Sequence, residues 1–342
     1  MAQKNLSPQR SRQRLLHIDV AKGLGMLLVV YGHLVQANSP GESAWYVTTR
    51  DIIYTFHMPF FLYLSGYVFF LTNAHLRLGK AWQSLVKSRV DRLLVPFAFF
   101  GIVIILGKAA AAQFGEVHKG VGSISTGLWR VLSNTPDNPN ISIWYLLVLF
   151  VYSLVTPFLF ARFRGKVALL VGAALIVSMV AEYFAVTERF YIARLLRYYV
   201  FFLAGGWAWL HWEWCASRFK RWWLPLTLLF AAAASQGPWH PFALLYCGFL
   251  SIPALHGAML FPAAQRSRLL QVVGANSMAI YLMNTIFIGV AKLIWLRLFP
   301  ADGTWNAPFL GVLMLAGIIG PIVARAVLVR LPVIRRAGKY IA

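Results

Sequence analysis

The chain has 342 residues, of which 59% are hydrophobic and only 12% charged. Soluble domains carry about a quarter charged residues, so this polar surface is too small to cover a water-facing fold, and a soluble enzyme or a disordered chain is excluded. The net charge of +22 comes with no basic block apart from the apolar segments and no zinc-finger, RNA-recognition or helix-turn-helix signature, so it reads as the positive-inside bias of membrane loops and not as nucleic-acid binding.

A bilayer crossing takes about 20 mostly apolar residues. Runs of that kind occur at residues 19–38, 51–73, 93–112, 142–161, 167–186, 192–211, 222–236, 241–261, 272–298 and 306–329. They predict an all-α polytopic membrane protein of about ten transmembrane helices in one bundle, with residues 1–342 forming a single domain. Lys and Arg gather in alternate loops. One side takes Lys4 to Arg14, Arg77 to Arg92, Arg162 to Lys166, Arg218 to Arg221, Arg266, Arg268 and the tail from Arg325; the other holds only Arg50, Lys119, Arg130 and Arg189. That split places both termini in the cytoplasm, residues 1–18 as a basic leader into the first span and 330–342 as a basic tail. A cleaved secretory signal is a poorer reading, because His17, Asp19 and Lys22 crowd the first apolar run and no small-residue cleavage site follows. Residues 113–141, with the turn-rich stretch Ser133 to Asn140, read as a loop over the outer mouth. Cys215 and Cys247 read as packing residues and exclude a disulfide framework or a cysteine-ligated metal.

Ionisable groups inside such spans are costly unless they face a cavity or a partner, so each marks a candidate site. On the first helix, Lys22 and His33 lie within about 20° of a common line, and Asp19 about 40° off it. Asp19 can pair with Lys22 at i,i+3. Lys22 is expected at the cytoplasmic boundary and His33 about 16 Å further along the axis. A cation there can hold phosphate, and a neutral imidazole is a competent general base. The plainer alternatives are a Lys that snorkels to the headgroups and a His that merely packs.

The second helix brings His57 to the depth of His33, with Asp51 at its outer end and Ser65–Gly66 further in, a small pair suited to close helix contact or to a ligand. Trp144 and Tyr145 open the fourth helix as an interfacial belt or a site lining. Arg194 and Arg197 sit one turn apart on the sixth helix. Glu182 is at matching depth, which predicts either a structural ion pair or a place for an anionic or sugar-phosphate ligand. Asn284 and Lys292 on the ninth helix complete the buried polar candidates.

Six segments in order carry a resemblance. Leu16 to His33, with its His-Ile-Asp-Val-Ala-Lys-Gly opening, resembles the first helix of the acyltransferase-3 family of membrane-bound O-acyltransferases. Phe56 to Tyr67 (Phe-His-Met-Pro-Phe-Phe-Leu-Tyr-Leu-Ser-Gly-Tyr), Arg92 to Phe97, Ile143 to Leu149, Tyr199 to Gly205 and Gly274 to Leu282 resemble later helices of that family, within it the fucose 4-O-acetylase-like proteins. The resemblance implies a bacterial inner-membrane, multi-pass enzyme. It would move an acetyl or other short acyl group from cytoplasmic acetyl-CoA to a hydroxyl of an envelope or exported polysaccharide or its lipid-linked precursor, without a metal.

On that reading Lys22, Arg89 and Arg92 meet the CoA phosphates and Asp19 orients Lys22. His33 acts as general base or transient acyl carrier. His57, Ser65, Trp144, Tyr145, Arg194, Arg197 and Asn284 fall to the substrate side. Implied partners are a carbohydrate acceptor, free or polyprenyl-linked, membrane lipid, and export or assembly machinery. Two positions depart from the family pattern. Lys22 replaces its Arg, keeping the charge but not the bidentate fork, and Asn284 stands where relatives often have His. A lipid-linked sugar flippase or a small-solute transporter also fits ten helices with buried charges, although inverted repeats are absent from the sequence. A glycan polymerase is a further alternative and would need no cytoplasmic CoA site.

Overall fold

The structure, a computed structural model, describes residues 8–35, 42–111, 123–133, 143–238, 240–299 and 306–330. The first part of the chain forms α1 (Pro8–Gly32), α2 (Ala44–Tyr54), α3 (His57–Leu71), α4 (Lys80–Arg89), α5 (Val95–Ala111), α6 (Ile124–Ser133), α7 (Trp144–Arg162), α8 (Val167–Tyr183) and α9 (Ile192–Leu210). It continues through α10 (Trp212–Arg221), α11 (Trp223–Ser235), α12 (Ala243–Ser251), α13 (Gly257–Met259), α14 (Pro262–Gln265), α15 (Arg268–Ala275), α16 (Ser277–Leu298) and α17 (Asn306–Leu328). A helix lies in each of the ten intervals read from the sequence. Among the described residues, length and hydropathy mark five stretches as able to cross a bilayer: Ala44–Leu71, Lys80–Ala110, Trp144–Arg162, Ser277–Leu298 and Asn306–Leu328. Large apolar side chains cover their outer faces, Phe99, Leu315 and Ile319 among them, as a multi-pass membrane protein requires.

Several predicted boundaries move, and prolines account for most of the shifts. The second span begins at Ala44, not at 51, and is two helices: Pro59 cannot bond the Thr55 carbonyl and its ring crowds it, so the chain breaks at Thr55–Phe56. The third runs from Lys80 with a π-helical turn at Val90–Leu94, which makes room for Pro96 against the carbonyl four residues earlier. A second π-turn, Ile252–His256, carries Pro253 between α12 and α13. The ninth interval is interrupted at Asn276, whose amide donates to the Val272 carbonyl while its oxygen accepts from Arg325, 2.6 Å away. α1 starts at Pro8, eleven residues before the predicted span, since proline is well suited to a helix's first turn. Predicted loops prove partly helical as well, at α6, α10 and α14. The rest of the outer loop, the chain before residue 8 and the basic tail beyond residue 330 lie outside the described residues.

Backbone contact at glycines sets the closest packing. A Cβ on Gly66 would overlap the Phe202 carbonyl, and one on Gly205 the Tyr63 carbonyl, so α3 and α9 touch main chain to main chain. Gly23 and Gly274 do the same for α1 and α15, against Leu270 and Asp19. A buried polar chain adds a tie. His17 Nδ1 lies 2.8 Å from His256 Nε2, and His256 Nδ1 lies 2.8 Å from the Tyr63 hydroxyl. Trp212 stacks on His17 at 4.7 Å. This chain joins α1, α3, α10 and the second π-turn.

Candidate active site

Of the first-helix face predicted from spacing, the structure shows the Asp19–Lys22 pair but does not bring His33 to the same pocket. Asp19 Oδ1 and Lys22 Nζ are 3.3 Å apart, both part-exposed. Lys22, Met26 and Val29, at successive turns of α1, line one wall of an open pocket. The opposite walls bring Phe61, Leu64 and Ser65 of α3, Arg89 at the end of α4, Tyr145 of α7, and Met278 and Tyr281 of α16. The pocket is therefore apolar along most of its length and holds two cations. Arg89 stands against the Phe69 ring at 5.6 Å, and its Nε is buried without a hydrogen-bond partner among the described residues. Arg77 and Arg92 lie within electrostatic reach of Arg89. Arg92 itself is exposed on the π-turn and is not a lining residue.

His33 stands one residue beyond the end of α1 rather than inside it, with its N–H donating to the Val30 carbonyl at 3.0 Å. It does not line the pocket; Val29, one turn below, does. Its Nδ1 lies 2.9 Å from Asn284 Oδ1. The Asn284 amide nitrogen donates to the carbonyls of Ile280 at 2.7 Å and Tyr281 at 3.0 Å, which leaves only its oxygen for the imidazole. An oxygen can only accept, so His33 Nδ1 carries the hydrogen, and in the neutral ring the lone pair sits on Nε2. Asn284 is thus the partner that fixes the tautomer of His33. The sequence put them on helices far apart, and no local pattern announces their meeting.

His57 is buried at the start of α3. Its Nδ1 donates to the Ile53 carbonyl at 2.8 Å, and the Tyr54 ring packs over it at 5.1 Å. By the same logic its Nε2 is the lone-pair nitrogen of the neutral ring. Ser65 and Tyr145 meet inside the pocket: Ser65 Oγ donates to the Phe61 carbonyl at 2.9 Å, so the Tyr145 hydroxyl donates to Ser65. Tyr145 is accordingly a wall of the Lys22–Arg89 pocket, not an interfacial belt residue.

Trp144 is also buried. The Arg194 guanidinium lies over its ring at 4.7 Å and Tyr198 beside it at 5.1 Å. Of the two alternatives for Arg194 and Arg197, the structure shows the ion pair, extended to a cluster of four charges. Arg197 reaches Glu182 at 3.3 Å and Glu188 at 3.0 Å, and Arg194 reaches Glu188 at 3.2 Å. Two guanidinium groups facing two carboxylates balance their charge within the protein. Glu188, just outside the predicted helix, was not singled out from sequence. Lys292 lies two turns beyond Asn284 on α16 and is not among the pocket residues.

The acyltransferase domain family matches the chain over residues 15–325. The nodulation protein NolL of Mesorhizobium japonicum is 35% identical over 105 residues, 30% of this chain and 27% of the relative. NolL of Sinorhizobium fredii is 31% identical over 134 residues, 36% of each. Glucans biosynthesis protein C of Escherichia coli is 26% identical over 146 residues, 41% of this chain and 35% of the relative. The chain thus spans about a third of the length of the curated relatives it matches. No solved structure matches it.

Proposed function

The chain belongs to the acyltransferase domain family, and from that premise we propose that it is an O-acyltransferase that moves an acetyl or other short acyl group from cytoplasmic acyl-CoA to a hydroxyl of an envelope or exported polysaccharide, or of its lipid-linked precursor. The observation that carries this reading is the pocket shared by Lys22 and Arg89. Its cations suit the phosphates of the donor through charge-assisted bonds, and the orphaned Arg89 Nε is a donor in want of an anion. Its apolar walls suit the acyl-bearing arm. Glucans biosynthesis protein C is named for glucan biosynthesis, which supports a carbohydrate acceptor here. Ten crossings with both termini in the cytoplasm of a bacterial inner membrane complete the proposal, on the alternation of basic loops. That topology puts Lys22 and Arg89 on the side where acyl-CoA is made.

The chemistry centres on His33 Nε2. The acceptor oxygen bonds to the thioester carbon as its proton passes to Nε2. The carbon–sulfur bond then breaks, and the proton leaves with the thiolate. Lys22 and Arg89 hold the donor, with Asp19 restraining Lys22 at 3.3 Å. The side chains left for the acceptor are His57, with its Nε2 lone pair, and the Trp144–Arg194 pair.

Labelled acetyl from acetyl-CoA should enter membrane carbohydrate in vesicles holding the wild-type protein, which a flippase or transporter would not produce. Lys22→Ala should raise the KM for acetyl-CoA with little change in kcat, and Lys22→Arg should restore it. An effect of Lys22→Ala on expression alone would reduce Lys22 to a headgroup-seeking side chain. Asn284→Leu keeps the bulk of the amide but cannot accept from His33, so kcat should fall by about 10- to 100-fold, the scale of a small misplacement of a catalytic group. Its KM for acetyl-CoA should hold, since Asn284 is not a pocket residue. A parallel rise in that KM would place Asn284 in donor binding instead.

A further inference from the structure

The turn that carries His33 is held from outside by one face of α2. A helix that stops at Gly32 leaves its last carbonyls without partners. Three of the hydroxyl and guanidinium groups that meet this stretch come from Tyr46, Arg50 and Tyr54, spaced at i, i+4 and i+8 on one side of α2. The Tyr46 hydroxyl donates to the Tyr31 carbonyl at 2.8 Å and accepts from the Val35 N–H at 3.1 Å. Arg50 Nη1 donates to the Val35 carbonyl at 3.2 Å, while its Nε is committed to Asp51 at 2.9 Å. The Tyr54 hydroxyl donates to the Gly32 carbonyl. Tyr54 comes so close that a Cβ on Gly32 would lie 2.6 Å from its ring, so a side chain there would push the ring aside. The bonds bracket His33 on both sides, at residues 31, 32 and 35.

We propose that Tyr46, Arg50 and Tyr54 are positioning residues for the transfer, fixing the main chain of His33 so that Asn284, holding Nδ1, can aim Nε2 at the reacting carbonyl. Neither hold suffices alone. Asn284 fixes one atom of the ring and leaves it free to swing about that bond, and the α2 face fixes the backbone but not the side-chain torsion. The inference rests on the role given to His33 above. It makes α2, which runs across the predicted start of the second span at residue 51, part of the catalytic apparatus without any contact with the donor pocket.

The test is steady-state kinetics on the full chain in membranes, normalised to folded protein by size-exclusion chromatography, for Tyr46→Phe, Tyr54→Phe, Arg50→Gln and Arg50→Lys beside His33→Ala. Tyr46→Phe and Arg50→Gln should lose about 10- to 100-fold in kcat at an unaltered KM for acetyl-CoA. Arg50→Lys should recover part of that loss, since it can still donate to Val35. Tyr54→Phe removes one hydroxyl from a part-exposed ring, so it keeps the test open if a buried variant fails to fold. Wild-type kcat per folded molecule in the Tyr46, Tyr54 and Arg50 variants, with only a lower melting temperature, would make this face a structural cap and overturn the proposal while leaving acyl transfer intact. Full activity in His33→Ala would overturn the proposal and the transfer mechanism together.

Discussion

His33→Ala is expected to lower kcat by about 10²- to 10⁴-fold, the usual worth of a general base, with the protein still inserted and the KM for acetyl-CoA unchanged. The geometry separates the two parameters. The pocket walls stop at Val29 on α1, one turn short of His33, so the mutation leaves Lys22, Arg89, Ser65 and Tyr145 in place. Among the described residues the imidazole makes one side-chain hydrogen bond, to Asn284, and that amide keeps both of its carbonyl acceptors after the ring is gone. Loss of activity through collapse of the site is therefore not the expectation. His33→Gln is the sharper control: its amide can still donate toward Asn284 but offers no lone-pair nitrogen, so it should be as inactive as alanine. The checking measurement is single-turnover transfer from labelled acetyl-CoA in membrane vesicles, with donor binding followed separately. Transfer at the wild-type rate in either variant would take His33 out of the chemistry. A proportional loss of donor affinity would move it into the pocket.

The sequence made some of this site legible and concealed the rest for identifiable reasons. The pairing of Asp19 with Lys22 follows from helical periodicity alone, and the structure shows the pair at 3.3 Å; the extension of that face to His33 is not realised, because α1 ends at Gly32 and the pocket wall stops at Val29. The Arg197–Glu182 pair was likewise readable from depth, because opposite charges in neighbouring apolar helices have few other partners. The meeting of His33 with Asn284 was not readable, since it depends on how α16 packs beside α1. The role of α2 was hidden differently. Its Tyr46, Arg50 and Tyr54 straddle the predicted start of the second span at residue 51, so a hydropathy window assigns them partly to a loop. The signal that was available is Pro59, which forbids an unbroken helix through Thr55 and so predicts a separate helical segment before it. α10 escaped because ten residues with Arg218, Lys220 and Arg221 cannot cross a bilayer. Nothing in a search for spans looks for a helix that packs Cys215 inward and leaves Trp214 outside.

The largest effect on the fold is expected at Gly66 and Gly205. A methyl group at either position would enter the backbone of the opposite helix: Gly205 faces the Tyr63 carbonyl and the Tyr67 amide, and Gly66 faces the Phe202 carbonyl. Overpacking in most cores is relieved by side-chain rotation at about 1–3 kcal/mol. Here nothing can rotate, so α3 and α9 must move apart along their contact, and Gly205→Val should leave little folded protein. Gly205→Ala should lower the melting temperature steeply. The same substitution at Gly107, Gly172 or Gly289 meets nothing within 4 Å and should be neutral or stabilising by up to about 1 kcal/mol, the helix preference of alanine over glycine. The comparison is made by fluorescence-detected size exclusion after heating, and equal melting temperatures for Gly205→Ala and Gly172→Ala would refute the main-chain contact. The consequence reaches the site, because α3 carries both His57 and Ser65 and α9 carries Arg194. Separating them would draw Ser65 away from Tyr145 in the pocket wall, so any Gly66→Ala or Gly205→Ala protein that survives should bind acetyl-CoA more weakly although neither glycine lines the pocket. Small residues at this crossing thus set the donor site by the distance they allow between two backbones.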